Sequence, residues 1–407
     1  MPQLGVMTLL GFTGYAALLP VAPLWAVRGG ADAAGAGLVN GVLLLSTVLA
    51  QGFVPASLAR LGWSRVLSVG MVLLGLPSLA LAFSDGLAWI LGWSVVRGMG
   101  FAVLTVCGSS AVALLVDPAR RGAGIGAYGL AVAVPNVLVL SLAPWVADNL
   151  GYVVVFAVAA MPVLGVPAGI ALARRLPTES PTGPMPQIDG AGAAAGGGEG
   201  GSPGAGASGR PRSAPLPRRA LVGALVAPTL ILLSVTLAGG GVLTFLPQMV
   251  KDPTVVMVAL LGFGVMTTAS RWLVGTIADR HGAHGFVVPL LGCAVVGMAL
   301  VAWAVRDPAV PGLWALGLAV TIAGIAYGAL QNLTLLMAFN AVPSRQVGTA
   351  SAVWNVGFDA GSGLGSVLVG VLAAQAGFPL AMVAVAAVCA AAIPLAWRPA
   401  PTLRSRP

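Results

Sequence analysis

Residues 255–305 read VVMVALLGFGVMTTASRWLVGTIADRHGAHGFVVPLLGCAVVGMALVAWAV. Two apolar runs, 255–278 and 286–305, stand on either side of a short turn that carries Asp279, Arg280, His281 and His284. A helix needs about 20 apolar residues to cross the hydrocarbon core of a bilayer. Each run has that length, and the turn's charges sit where both helices would leave the core for water. The stretch therefore reads as two membrane crossings joined by a tight polar turn.

The pattern extends in both directions. Apolar runs recur at 4–27, 38–58, 66–84, 87–115, 122–147, 152–173 and 220–248, and again at 311–341, 347–374 and 378–397, which makes twelve crossings. The chain of 407 residues is 58% hydrophobic and 8% charged, where soluble domains carry about 25% charged residues. No single water-soluble core hides that much apolar surface. The net charge of +9 would suggest nucleic acid in a soluble protein. Here it follows from basic loops on one membrane side, and no nucleic-acid partner is expected. Cys107, Cys293 and Cys389 are isolated in apolar stretches and show neither disulfide nor metal spacing.

Charge gives the orientation. With both termini in the cytoplasm, the inner loops hold fifteen Arg residues, among them Arg60, Arg120, Arg121, Arg280 and Arg345, while the outer loops hold Arg28, Lys251 and Arg306. That is a clear positive-inside bias. It predicts a multi-pass protein of the inner (cytoplasmic) membrane, with the first apolar run kept as a helix. The segment 174–219, rich in Gly, Ala and Pro, cannot bury enough apolar surface to fold and reads as a flexible cytoplasmic linker. It divides an N-terminal bundle, 1–173, from a C-terminal bundle with a short tail, 220–407. The halves repeat weakly: QGFVPASLARLG at 51–62 aligns with RWLVGTIADRHG at 271–282, and Pro118-Ala-Arg120 with Pro343-Ser-Arg345.

Within the turn quoted first, Gly275-Thr-Ile-Ala-Asp279-Arg280-His-Gly282 resembles the G-x-L-A-D-R-x-G signature of the major facilitator superfamily. The first-half copy is degraded, with Pro55 in place of the leading Gly and Ala59 in place of the Asp, while Arg60 and Gly62 remain. Val96-Arg97-Gly98-Met99-Gly100 in the fourth run is similar to the family's second signature. The fifth run has Gly122, Gly124, Gly126 and Gly129, then Val134-Pro135-Asn136, and lacks the Gly-Pro pair of the antiporter signature. The resemblance implies an all-α membrane protein with twelve transmembrane helices in two pseudo-symmetric six-helix bundles. It implies a secondary transporter like bacterial drug or metabolite efflux permeases, with no cofactor. In the family the loop signature latches the inner side. That implies a cytoplasmic gate of Gly275, Asp279, Arg280, Gly282 and Arg60, to which the repeat adds Arg271 and Gln51.

Three charges lie inside spans, and such charges usually face a cavity or a partner. Asp359 is the acid well inside a span, in Asn355-Val-Gly357-Phe-Asp359-Ala-Gly361-Ser-Gly363-Leu-Gly365, and similar Phe-Asp-x-Gly stretches occur in efflux members of the family. Its expected role is proton coupling or substrate contact, against a structural bond to another helix. Gly357, Gly361 and Gly365 share one face and permit close helix approach. Arg97 is expected to keep the cavity polar or to modulate Asp359. Arg271 is expected at a gate or in a hydrogen bond between the halves. Tyr15, Tyr128, Asn136, Tyr327, Gln331, Asn332 and Asn355 are cavity-lining candidates, with Gln331-Asn332 foremost because adjacent amides in an apolar run need partners. Asn40 and Gln248 are further polar residues of this kind, and Trp25 and Trp145 fit an interfacial belt.

The sequence offers no phosphate-binding loop, zincin pattern, metal set or pair of membrane acids, so ATP-driven transport and intramembrane hydrolysis are not expected. The expected function is proton-coupled export of a small, partly hydrophobic molecule by a monomer in the lipid bilayer. Two alternatives stand beside it: movement of an anionic metabolite against Arg97 and Arg271, and a receptor or scaffold that kept the fold without transport.

Overall fold

The computed structural model describes residues 2–115, 121–176, 216–281, 284–307 and 312–397. Among them the chain is helical, with no strand. The first half comprises α1 (Pro2–Arg28), α2 (Ala33–Gln51), α3 (Val54–Ala80), α4 (Leu87–Leu115), α5 (Arg121–Val134), α6 (Leu140–Asn149), α7 (Tyr152–Ala159) and α8 (Val166–Ala173). The second comprises α9 (Arg218–Met249), α10 (Pro253–His281), α11 (His284–Ala304), α12 (Leu313–Asn340) and α13 (Val347–Ala396). The linker 174–219 lies mostly outside the described residues, as do Arg120 and the chain after Trp397.

Eleven of the described helical segments are long and apolar enough to span a bilayer. The last has 50 residues. As one straight rod it would measure about 75 Å, more than twice the roughly 30 Å hydrocarbon core. It is not straight: Gly377 takes φ 80° and ψ 163°, a conformation open to glycine and costly for other residues. The chain reverses there, so α13 supplies two crossings and the described residues make twelve. Gly151, with φ 97°, makes the same reversal before the last crossing of the first half. The two glycines stand 226 positions apart, near the spacing of the sequence repeat.

The crossings follow the apolar runs, the second with a kink inside it. The run 38–58 predicted one helix; the helical backbone starts earlier, at Ala33, and is kinked after Gln51, where α2 ends. Asp32 sets the start by accepting a hydrogen bond on Oδ1 from Gly35 N at 2.8 Å. The end is set by Gly52, Phe53 and Pro55, which occupies the first turn of α3. Gly52 and Phe53 keep right-handed helical φ/ψ, so residues 54–61, the short first arm of α3, carry the second crossing on past this kink, and the chain reverses at Gly62, φ 76° and ψ 165°. Pro135 opens a π-helical turn, Pro135–Val139, that joins α5 to α6 within one crossing. A proline gives no N–H to the ladder, and the turn absorbs the loss.

Helices α2 and α13 join the halves along an antiparallel seam. On α13 the seam residues are Asp359, Gly363, Ser366 and Gly370, which share one helix face. On α2 they are Ala33, Gly37, Gly41, Leu44 and Gln51. A Cβ on Gly37 would overlap the carbonyl oxygen of Ser366, and one on Gly363 would sit 3.2 Å from Leu44 Cβ. Gly357, Gly361 and Gly365, on another face of α13, meet Thr229, Thr236 and Leu237 of α9. They serve the close approach expected of them within the second half. On the opposite flank α10 packs on α6 and the π-helical turn rather than on α5, with Gly264 against Val137. The halves thus meet at the end that holds Gly151 and Gly377, and on this flank they part toward the end that holds Gln51.

Candidate functional site

At the Gln51 end of the seam, Gln51 Nε2 donates to Asp359 Oδ2 at 2.9 Å. The bond crosses from one half to the other. Asp359 is 6% exposed. Its partner is a neutral amide, not a guanidinium. A hydrogen bond to a charged acceptor is worth about 1.5–3 kcal/mol net, against roughly 1 for a neutral pair. The strength of this link between the halves thus depends on whether Asp359 carries its proton.

The repeat places Arg271 where α2 has Gln51. Its guanidinium turns to its own half: Nη1 donates to Gln331 Oε1 at 2.7 Å, and Asn332 Nδ2 donates to the Arg271 carbonyl at 2.8 Å. This corrects the expected bond between halves. The residues of α5 that mirror Asp359 are the apolar Ala133 and Val134, so the mirror position holds no acid. Arg271 lies seven positions after Gly264, which returns it to nearly the same helix face about 10 Å along the axis. That face meets the first half at Val137, so Arg271 sits where the halves part. The Tyr327 hydroxyl lies beside Gln331 and Ser362. Gln331 is 1% exposed, and its Nε2 has no hydrogen-bond partner. Gln331, buried, and Asn332, half-buried, therefore act first as a bracket for Arg271.

Arg97, 1% exposed, reaches from α4 to α1, where Nη2 donates to Gly14 O at 3.3 Å; its Nε has no partner. Gly98 and Gly100 beside it let α4 approach α2 and α3, with Gly98 against Leu43 O and Gly100 against Gly70 O. Arg97 thus bonds a carbonyl of the neighbouring helix and does not touch Asp359. Tyr15, next to Gly14, stacks on Phe101 with centroids 3.9 Å apart and planes 5° apart. Phe12 adds an edge contact at 5.7 Å. Across the centre, Tyr327 packs on Phe263 at 5.3 Å. Both Tyr15 and Tyr327 lie within electrostatic range of Asp359. The three embedded charges, Asp359, Arg97 and Arg271, are therefore each bonded to a neutral group, between one aromatic wall per half.

The remaining expected residues fall elsewhere. Asn355 donates to Ser351 O and Asn136 to Val132 O, each four residues back in its own helix. Tyr128 is buried against Gly108. Arg60 is exposed on the short arm of α3, and Gly275 lies near Asn332 Nδ2, 3.2 Å from where a Cβ would stand. The side chains of Asp279 and Arg280, and all of Gly282, lie outside the described residues. Trp25 is more than a belt residue: its Nε1 donates to Leu81 O and Ser84 O, and Arg28 lies over its ring at 5.5 Å.

The sequence reading missed one feature, a buried chain of polar groups across the seam. Asn40 Nδ2 donates to Leu19 O at 2.8 Å and to Thr244 Oγ1 at 2.9 Å. The Thr244 and Ser366 hydroxyls are 2.8 Å apart. Asn40, Thr244 and Ser366 are each 1% exposed. The available signal was Pro23, which has no N–H to give the Leu19 carbonyl four residues back. That orphan acceptor needs a donor from another helix.

A sequence model of the Major Facilitator Superfamily matches residues 4–352 and, in an overlapping match, 252–407. No curated protein matches the sequence. Among solved structures, the fold is similar to a bacterial homologue of the human lysosomal transporter Spinster, inward-facing and occupied, with a TM-score of 0.75 at 14% identity over 97% of this chain and 94% of that one. It is similar to the nucleoside transporter NupG (D323A mutant), with a TM-score of 0.70 at 13% identity over 97% and 98%. The human organic anion transporter MFSD10 (TETRAN) gives 0.64 at 16% identity over 97% and 98%.

Proposed function

For a chain that belongs to the Major Facilitator Superfamily, and is on that ground a secondary transporter rather than an enzyme, we propose a specific cycle: proton-coupled export of a small, partly hydrophobic molecule, with Asp359 as the proton site. The halves 1–173 and 220–407 rock about the central site, as in other parallel-repeat transporters. Gln51 lies on the cytoplasmic side and Gly151 on the outer side. The positive-inside bias supports that assignment.

The observation that carries the proposal is the Gln51–Asp359 bond, an embedded acid tied across the halves to a neutral amide. Ionised, Asp359 holds Gln51 through a charge-assisted bond; protonated, it holds it less strongly. A carrier that has given up its proton and has not taken cargo is thereby kept in its present conformation. Cargo taken from the cytoplasmic side and bound at the aromatic walls drives the outward step, and a proton taken up from the outside after cargo release lets the emptied carrier return. This arrangement prevents proton leak by the empty, ionised carrier.

The test is transport into inside-out proteoliposomes, with and without an imposed pH gradient, for a panel of aromatic and aliphatic small molecules. The wild type concentrates a member of the panel only with the gradient. Asp359→Asn exchanges that compound in counterflow but no longer concentrates it. Gradient-driven accumulation by Asp359→Asn at the wild-type level would falsify the proton-site assignment.

A further inference from the structure

Among the described residues two embedded cations have no carboxylate partner. Arg97 bonds a backbone carbonyl, Arg271 bonds an amide oxygen, and the embedded acid is held by Gln51. A buried charge that is neither paired nor well solvated is costly. The donors around these cations are also underused. The guanidinium of Arg271 makes one protein hydrogen bond among the described residues, to Gln331. The Nε2 of Gln331 and the Nε of Arg97 are buried with no partner. What the site lacks is an acceptor with negative charge.

Resting on the transporter reading above, we propose that the cargo is an amphipathic organic anion, with its carboxylate or equivalent group held by Arg271 and the Gln331 amide and its apolar body against the aromatic walls. Three features favour this over a cation or a neutral molecule. Arg271 and Gln331 supply donors in a planar fork suited to two oxygens. The nearby aromatic pairs, Tyr15 on Phe101 and Tyr327 on Phe263, are buried and keep the surroundings of the subsite apolar. Asp359, the one described embedded acid, is engaged by Gln51 and lies on the other flank of the interface from Arg271. A cationic cargo would meet two guanidinium groups before any free carboxylate.

The pseudo-symmetry explains why the subsite is one-sided. Gln51 finds an acid across the interface on its flank, whereas on the flank of Arg271 the positions that mirror Asp359 hold the apolar Ala133 and Val134. The arrangement leaves a proton-bearing link on one flank and a cation open to cargo on the other.

The test uses purified full-length protein in detergent and three matched probes: naphthalene-2-carboxylate, naphthalene-2-carboxamide and 2-naphthylmethylammonium. A ligand that binds the folded state raises the unfolding midpoint in proportion to its affinity. The carboxylate is expected to bind at least about tenfold more tightly than the amide, and the ammonium least. Arg271→Gln is expected to remove the preference for carboxylate while keeping the amide's weak binding. If Arg271→Gln does not purify, Arg271→Lys serves: it keeps the charge but loses the fork, and about tenfold weaker carboxylate binding is expected. Equal binding of carboxylate and amide, tighter binding of the ammonium, no stabilisation by the carboxylate at about 10 mM, or undiminished preference in the Arg271 variant overturns the inference. The assay involves no pH gradient, so its failure leaves the proton assignment of Asp359 standing, and the converse also holds.

Discussion

Asn40 binds two groups at once, and the consequences of losing it follow from the structure. Its Nδ2 satisfies the Leu19 carbonyl, which Pro23 leaves without an N–H, and it also bonds Thr244 in the other half. Asn40→Leu keeps the volume and removes both bonds. An orphaned buried carbonyl costs about 1–3 kcal/mol, and a hydrogen bond between membrane helices is worth about 0.6 and at most roughly 1.7 kcal/mol. The expected loss is about 2–4 kcal/mol. Thermal unfolding in detergent, followed by tryptophan fluorescence, should show a midpoint lower by about 4–8 °C at roughly 2 °C per kcal/mol for a chain this long. Pro23→Ala separates the two contributions by restoring an N–H to the Leu19 carbonyl. The double variant Asn40→Leu/Pro23→Ala should recover about half of the loss, although Pro23→Ala alone gains little, and the coupling between the two sites should be about 1–2 kcal/mol. Additive effects of the two substitutions would show that Asn40 does not serve the carbonyl Pro23 leaves open, and the account of this contact would be wrong.

Three further predictions concern the seam, the embedded cation and the chain reversal. Gly37→Val places a side chain against the Ser366 carbonyl, at a cost of roughly 1–3 kcal/mol to the closed seam. A cysteine at Ser366 should then react faster with a membrane-impermeant maleimide, and an unchanged rate would mean that the seam does not close the Gly151 end. Arg97→Met removes a buried cation and leaves no acid behind. Thermal stability should stay within about 1 kcal/mol or rise while transport falls, and a stability loss of several kcal/mol would show that the Gly14 bond is worth far more than its 3.3 Å length suggests. Gly377→Ala should cost about 1–2 kcal/mol because of its positive φ, whereas Gly348→Ala, where nothing lies within 4 Å of the added methyl, should be neutral or stabilising. Equal effects in chemical denaturation would rule out the backbone explanation.

The fold was legible because hydrocarbon imposes one strong rule: each crossing must be a long apolar helix. The twelve runs predicted from sequence coincide with crossings, including the pair on either side of Gly377. The run 38–58 missed only the earlier start at Ala33 and the kink after Gln51. The Asp32 cap and Pro55 mark those two places, and a reading by apolar length passes over such signals. At the site, Asp359, Arg97 and Arg271 stand out because charge inside a span is rare. Their partners were not legible. Whether Arg271 turns to Gln331 or across to the other half depends on what stands at Val134, some 137 residues away in sequence. Asn355 and Asn136 looked like cavity residues, yet each bonds its own helix, which a linear pattern of polar residues does not distinguish. Thr244 and Ser366 were missed because a lone hydroxyl in an apolar run usually returns to the carbonyl four residues back, as Ser366 also does to Ser362. Here the decisive bond joins two halves that are adjacent only in the folded chain.

The central claim is that the charge on Asp359 sets how firmly the halves are linked, and a pH titration of conformation tests it without any cargo. Spin labels at Ala59 and Thr349, both exposed at the Gln51 end, report the distance between the short arm of α3 and the start of α13. The charged bond exceeds the neutral one by about 1 kcal/mol, a factor of roughly five in a two-state equilibrium. Stability of the present conformation is held while Asp359 is ionised and is lost as pH falls through its titration. Lowering pH is expected to shift the wild-type distance distribution by about that factor, and Asp359→Asn is expected to stay at the low-pH distribution at every pH. A pH-driven shift of wild-type size in Asp359→Asn would contradict the claim.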